Sequence, residues 1–209
     1  ISAVFDKALL IRNFFDPCIF TFWWGTLGIY ALLLLPFATA SISVFTTIVA
    51  LIAGVIFSGG MLTLFLALDK AKASSVLPLV GALSPMGTAI FGIILTGSFI
   101  IGWDWAAFLL LIAGAFLFFL EETGELRART LALSVASALL FGLSLVLSKQ
   151  VFDASSFITG FIIIKIGGVL AVATFLLAPS LRKKIRESRR YASERNGVLY
   201  VGNRAGAAL

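Results

Sequence analysis

The feature that most constrains this chain is a series of long, nearly uninterrupted apolar runs. Six runs hold about 20 mostly apolar residues each, the length a helix needs to cross the hydrocarbon core of a bilayer. The apolar residues do not alternate with polar ones, which favours helices over the strands of a barrel. The sequence therefore predicts an all-α polytopic membrane protein. The six full transmembrane helices are predicted at residues 18–37, 43–68, 74–97, 102–120, 130–151 and 156–178.

Composition removes several functional classes. Hydrophobic residues make up 60% of the chain and charged residues only 12%, whereas a soluble domain is about half apolar and about a quarter charged. The chain has no histidine and a single cysteine, Cys18, which leaves no internal disulfide and no Cys/His metal site. We find no glycine-rich phosphate-binding motif and no nucleophile–base pair. The sequence thus predicts no catalytic residue, no cofactor and no metal, and it does not favour an enzyme.

The net charge of +6 is distributed unevenly among the loops. The loop 180–196 is the most basic one, and the positive-inside rule places it in the cytoplasm. Alternate crossing by the six spans brings the other basic loops to the same side and leaves only Lys149 on the opposite side. Those other loops carry Lys7, Arg12, Lys70, Lys72, Arg127 and Arg129. We expect the basic loops to meet the anionic headgroups of the lipid bilayer, and we expect no nucleic-acid partner.

The chain also matches itself at an offset of 143 residues. The matched pairs include Gly25 with Gly168, Leu27 with Leu170, and Pro36 with Pro179. The repeating unit holds five helices, and an odd number inverts the second copy relative to the first. Inverted repeats are the architecture of many secondary transporters, whose substrate site lies near the membrane midplane. We predict a first repeat at 1–122, a linker at 123–129 and an incomplete second repeat at 130–209.

Short segments of the chain resemble the EamA domain of the drug/metabolite transporter superfamily. They are 66–68 (LAL) at a helix end, 73–76 (ASSV) at the next helix start, 83–85 (LSP), a later helix with Trp105 and Gly114, and 139–149 (LLFGLSLVLSK). The stretch 156–168 resembles the second helix of a further EamA domain, with Lys165 where the family often carries Arg. The resemblance covers nearly the whole chain. It implies ten helices in two five-helix units and export or exchange of small solutes, with the first and the last helices missing here.

Two features depart from the EamA pattern. Thr96, Gly97 and Ser98 stand where the family commonly has Glu after the fourth helix of a unit. The turn after the second helix of the first unit is uncharged, although the family usually has a basic loop there. The second departure implies an orientation opposite to the usual one, with the complete N-terminus outside. The compact repeat favours a prokaryotic plasma membrane, and a homodimer is left open.

Lys165 is the most informative single residue of the sequence. It lies about nine residues, or roughly 14 Å at 1.5 Å per residue, from either end of the predicted span 156–178. A lysine side chain reaches only part of that distance, and a cation at this depth usually faces a bundle interior or a wet cavity. Two interpretations follow. Lys165 is either a counter-charge for an anionic or polar substrate, or a structural contact to backbone carbonyls or to a carboxylate on a missing helix.

The third predicted span adds a second group of candidate substrate-binding residues. Pro85 frees the carbonyl of Gly81 and is flanked by the hydroxyls of Ser84 and Thr88. Freed carbonyls are tolerated where they line a cavity or meet polar side chains. The break is therefore either part of a substrate-lining surface or a kink set by packing.

The second predicted span carries a cluster of small and polar residues at its middle. The members of this cluster are Ser58, Gly59, Gly60 and Thr63, and its partners in the repeat include Asn203 and Arg204. Polar clusters related by the repeat would suit a midplane substrate site. Small residues serve close helix packing equally well, and pairs such as Gly54 with Ser58 have the spacing for it.

Acids and tryptophans are expected away from the membrane midplane. Every Asp and Glu falls in a predicted loop or at a helix end, whereas a proton-coupled carrier usually keeps an intramembrane acid. Coupling residues would then lie on missing helices, or the protein would be an exchanger or a uniporter. Trp23 and Trp24 are expected to be interface anchors near the end of their span.

The sequence as a whole predicts a secondary transporter that moves a small organic solute or metabolite by alternating access. Its partners would be the bilayer and that solute. The alternative is a membrane scaffold or lipid-interacting protein on the same fold, without a transport cycle.

Overall fold

The computed structural model describes residues 16–38, 42–97 and 128–191, together with residues 106, 109–110 and 113–114. Every regular element within these ranges is helical. The helices are α1 (Pro17–Thr26), α2 (Val44–Lys70), α3 (Ala73–Thr96), α4 (Ala128–Ala154), α5 (Phe157–Ala173) and α6 (Pro179–Tyr191). A 3₁₀ segment, Leu27–Phe37, continues α1, and a shorter one, Thr174–Leu177, continues α5.

Five helical segments are long and apolar enough to cross a membrane. They are Pro17–Phe37 (called the first span below), Val44–Lys70, Ala73–Thr96, Ala128–Ala154 and Phe157–Leu177. Each matches one of the predicted spans to within three residues at both ends. The prediction of an all-α membrane protein is confirmed at this level. The remaining predicted span, 102–120, lies almost wholly outside the described residues.

Local sequence signals set most of the helix ends. Asp16 caps α1 by accepting the backbone N–H of Cys18 at 3.0 Å, and Pro17 occupies the first helical position. Ser43 caps α2, and Ser156 caps α5, each by accepting a backbone N–H three residues later. At the other end of a helix, Gly97 terminates α3 with a φ of 64°, which a residue without Cβ adopts at no steric cost.

α2 lies at the centre of the described bundle. It packs on α4 along one side and on α5 along another, while α3 packs chiefly on α4 and the first span chiefly on α5. A buried cluster joins three of these helices to α1 near the α2–α3 turn. Its members are Phe20, Phe65, Ala67, Leu68, Val76, Val80 and Ala138. Phe20 and Phe65 meet edge to face within it, with ring centroids 4.7 Å apart.

Two serines fix the direction of α4 against α2. The Ser137 hydroxyl donates to the carbonyl oxygen of Gly60, and the Ser144 hydroxyl donates to that of Ala53, each at 2.9 Å. As the chain advances along α4 it moves backward along α2, so the two helices run antiparallel. The seven-residue spacing on both helices keeps these contacts on one face.

Glycines fix the direction of the first span against α5. A methyl group on Gly25 would meet Val172, and one on Gly28 would meet Val169 and the backbone oxygen of Lys165. A later position on the first span therefore faces an earlier position on α5. The first span and α5 run antiparallel.

The tightest helix crossing joins α2 to α5. A methyl group on Gly54 would overlap the backbone oxygen of Ile164, and one on Gly167 would overlap the backbone of Leu51. Small residues permit this approach, since any larger side chain would separate the two backbones. This close approach fits the helix-packing interpretation of the spacing of Gly54 and Ser58.

The outer surface of the bundle is apolar. Large side chains with more than half of their area exposed include Leu33, Phe37, Val44, Phe45, Phe157 and Leu177. A contiguous apolar surface of this kind suits lipid contact. Apart from Lys165 and Lys149, the basic side chains that the structure describes lie where α2 ends and α4 and α6 begin, a region called the basic end below. Lys149 lies near the opposite end of α4.

Candidate functional site

Lys165 lies on α5, eight residues after the helix begins at Phe157. Its side chain is half-buried and extends toward the first span and α2 rather than away from the bundle. The ammonium nitrogen Nζ lies 5.8 Å from the ring centroid of Trp24 and 5.7 Å from that of Phe57. A third ring, that of Phe161 on the preceding turn of α5, has its centroid 5.2 Å from Nζ. Three helices therefore place aromatic rings around one cation.

The rings form a continuous row across the bundle. Trp24 and Phe57 have centroids 5.6 Å apart with planes tilted by 33°, and Phe57 lies 5.3 Å from Phe141 on α4. Each of these rings is half-buried, so each presents part of its surface outside the packed core. We call Lys165 with Trp24, Phe57, Phe141 and Phe161 the Lys165 site.

Lys165 places a positively charged side chain inside a membrane-spanning helix. A lysine at the middle of a membrane helix costs about 2.5–3.5 kcal/mol on insertion scales. Cation–π attraction to a ring within about 6 Å offsets a part of this, because each ring presents a negative face. Lys165 makes no ion pair within the part of the chain that the structure describes. The site therefore carries a net positive charge among these residues.

The three acids whose side chains the structure describes pair with other lysines. Asp16 contacts Lys184, Asp69 contacts Lys70, and Asp153 contacts Lys149. All three acids lie at or next to helix ends, as the sequence analysis expected of the acidic residues. None of them balances the charge of Lys165.

Ser58 is the predicted site residue of α2 whose side chain bonds to α5. Its hydroxyl donates to the carbonyl oxygen of Gly168 at 3.3 Å, and its side chain is buried. This bond ties α2 to α5 one turn away from Lys165 and next to Phe57 in sequence. Ser58 thus holds the two helices that supply the lysine and one of its rings.

The neighbours of Ser58 face α4 instead. A methyl group on Gly60 would meet the ring of Phe141, and its carbonyl accepts the Ser137 hydroxyl. Gly59 has only one distant neighbour, Leu140. The Thr63 hydroxyl donates to carbonyls of its own helix. The contacts of Gly60 are helix packing, those of Thr63 stay within α2, and Gly59 makes no close contact with another helix.

The structure does not bring Ser84, Pro85 and Thr88 into the Lys165 site. The Ser84 hydroxyl donates to the carbonyl of Val80 at 2.7 Å, and the Thr88 hydroxyl donates to that of Ser84 at 2.9 Å, so both bonds stay within α3. This part of α3 packs on α4, where a methyl group on Gly142 would overlap the backbone of Gly87. Asn203 and Arg204 lie outside the described residues.

None of the four aromatic members of the site was predicted from the sequence. Trp24 was expected at the membrane interface, but it packs against Phe57 and lies beside Lys165. Trp24 lies one turn after Phe20, which is buried in the core, and so shares the inward face of α1, but the structure was needed to identify that face. Phe57 and Phe161 gave no signal of their own, because phenylalanine is common along all the apolar runs.

Comparison with known protein families, with curated proteins and with solved structures gives no match to this chain.

Proposed function

We propose that this chain is part of a secondary transporter of the EamA type, which moves a small organic solute by rocking one five-helix unit against the other. The observation that carries the proposal is the position of Lys165. It is a cation in the middle of a membrane helix, turned into the bundle and supported only by rings among the described residues. Intramembrane charges with this placement mark substrate or ion pathways.

The antiparallel contact of the first span with α5 supports an inverted repeat. These two helices are the matched pair at the offset of 143 residues. Gly25 faces Val172 and Gly28 faces Val169. Leu27 and Leu170 lie between these two contacts, and they are themselves a matched pair of the repeat. A local two-fold axis would cross here, at the middle of Pro17–Phe37. Inverted repeats place their symmetry axis in the membrane plane and their substrate site beside it.

The directions of α3 and α4 support the sixth span. α3 begins two residues after α2 ends, and the start of α4 lies beside that same end of α2. α3 then packs along α4. The two helices therefore run in the same direction, so the end of α3 and the start of α4 lie at opposite ends of the bundle. A membrane span at 102–120 would connect these two ends.

In this proposal the solute binds at the Lys165 site, and the basic end faces the cytoplasm of a prokaryotic cell. Ser58 holds the site together. Ser84, Pro85 and Thr88 would line a neighbouring part of the pathway on α3, and Asn203 and Arg204 would lie on the repeat partner of α2.

A flux assay tests the proposal. The full-length protein is reconstituted in liposomes, and uptake of a labelled metabolite panel is measured for wild type, Lys165→Ala and the control Lys149→Ala. Lys149 lies at the exposed end of α4 and pairs with Asp153. We expect at least one solute to move with wild type and the control, and its flux to fall about tenfold or more with Lys165→Ala, the effect of losing one charged contact. Wild-type liposomes that take up no solute would contradict transport.

One observation favours the alternative, a lipid-interacting protein without a transport cycle. α6 buries Ile185 and exposes Arg182, Lys183, Lys184 and Arg186, the pattern of a helix lying at a membrane surface. A protein that shows no flux but binds anionic vesicles through α6 would fit this alternative.

A further inference from the structure

We infer that the ligand of the Lys165 site is a small organic anion with a flat, apolar body, such as an aromatic carboxylate, and not an organic cation or a sugar. That the site acts in transport rests on the proposed function. The class of ligand is argued from the residues of the site alone.

Charge excludes a cationic ligand first. Lys165 is the one charged group of the site among the described residues, and the three acids whose side chains the structure describes are all paired with other lysines. A cation placed beside Nζ would be repelled in a region of low dielectric, whereas a carboxylate would neutralise it. Among the described residues, the ammonium group of a zwitterion could contact only ring faces beside which Lys165 already lies, and no acid, so a simple anion is preferred to a zwitterion.

The walls of the site then select the body of the ligand. Trp24, Phe57 and Phe141 form a row of rings with successive centroids 5.6 and 5.3 Å apart. Flat apolar groups stack on such rings in offset or edge-on geometry. Phe57 and Phe141 are half-buried, so part of each of these two side chains lies outside the packed core.

A hydroxyl-rich ligand finds few hydrogen-bond partners among the described residues of the site. The ammonium group of Lys165 donates at one end of the row of rings only, and the hydroxyl of Ser58 already donates to the Gly168 carbonyl. Most hydroxyls of a sugar would therefore face apolar ring surface, which costs free energy. One cation beside a row of rings fits a single anionic group on an apolar body.

Three ligands with the same body and different charge test the inference directly. Binding of 2-naphthoate, 2-naphthamide and 2-naphthylmethylammonium to the full-length protein in nanodiscs is measured by isothermal titration calorimetry. We expect the anion to bind at least about tenfold more tightly than the neutral amide, as for a hydrogen bond to a charged group, and the cation to bind most weakly. Equal binding of the three, or preference for the cation, would overturn the inference.

Variants assign the preference to the site. We expect Lys165→Met to bring the anion to the affinity of the amide, Lys165→Arg to keep the preference, and the control Lys149→Met to change nothing. Phe57→Leu should weaken the anion and the amide alike, because it removes a wall and not the charge. If Lys165→Met fails to fold, binding of the three ligands to wild type and to Lys165→Arg still tests whether the anion is preferred. Retention of the anion preference in a folded Lys165→Met protein would overturn the assignment to this site.

The outcome is distinguishable from that of the flux assay. A protein that binds naphthoate but moves no solute would keep this inference and contradict transport. A protein that moves a solute but shows no preference for the anion would support transport and contradict this inference.

Discussion

At the residue scale, Asp16 has two roles at the start of the first span. Its carboxylate caps α1 through the Cys18 backbone N–H, and it accepts a hydrogen bond from Lys184 of α6 at 2.8 Å. Partial burial raises the pKa of Asp16, but the bonds from Lys184 and Cys18 together outweigh burial, so its pKa lies below the ordinary value. The hydrogen bond to Asp16 in turn raises the pKa of Lys184. The pair attaches α6 to the first span.

The Asp16–Lys184 pair predicts how α6 responds to acid. A group whose pKa is lowered by folding stabilises the fold above its ordinary pKa and loses that effect as pH falls through the lowered value. The raised pKa of Lys184 gives the reverse at high pH: its contribution is full below the ordinary lysine pKa and is lost as pH rises through the raised one. We expect a spin label at Lys183→Cys, in a Cys18→Ser background, to be least mobile between these limits and more mobile in acid.

Two substitutions of Asp16 separate its roles. Asp16→Asn keeps a good N-cap but removes the ion pair, so the label should be mobile at every pH while the stability of α1 is retained. Asp16→Ala should also lose the cap, at a cost of about 1 kcal/mol in thermal unfolding. A label that is equally immobile in Asp16→Asn and in the parent protein at neutral pH would show that the pair does not attach α6.

At the element scale, the crossing of α2 and α5 depends on the absence of a side chain at Gly54. The added methyl group of Gly54→Ala would overlap the backbone of Ile164, and backbone cannot move aside as a flexible side chain can. The helices would have to separate, which would also lengthen the Ser58–Gly168 bond. Overpacking of this kind costs about 1–3 kcal/mol. We expect a lower unfolding temperature and weaker ligand binding at the Lys165 site.

Gly59→Ala is the matched control on the same helix. Its methyl group would meet only Leu140, at an ordinary contact distance of 3.8 Å. Alanine is also the better helix former by about 1 kcal/mol, so this variant should be as stable as wild type or more stable. Equal destabilisation by Gly54→Ala and Gly59→Ala in thermal unfolding would mean that the close crossing does not limit stability.

At the scale of the whole molecule, the helix directions predict which residues share a side of the membrane. Lys72 precedes α3 and Arg129 begins α4 at the basic end, whereas Thr96 ends α3 at the opposite end. In a Cys18→Ser background, an impermeant thiol reagent should reach Lys72→Cys and Arg129→Cys from the cytoplasm and Thr96→Cys from outside. Labelling of Thr96→Cys and Arg129→Cys from the same side would contradict a crossing between them. Labelling of Lys72→Cys from outside would contradict the proposed orientation.

The sequence by itself determined the membrane class, the five described spans and most helix ends. These properties are local: about 20 apolar residues need lipid, and residues such as Asp16, Ser43, Ser156 and Gly97 set helix ends through bonds or dihedrals within a few positions. The depth of Lys165 in the membrane could also be predicted from the sequence, because it follows from the position of the residue within its apolar run.

Only the tertiary structure decided which residues surround Lys165. Ser84, Thr88 and Ser58 were equal candidates by sequence, yet Ser58 bonds to α5 while the other two bond within α3. Trp24 and Phe57 joined the site because α5 packs between the first span and α2. In a run that is apolar all around, periodicity does not identify the inward face, so the partners of a side chain depend on how the helices are arranged.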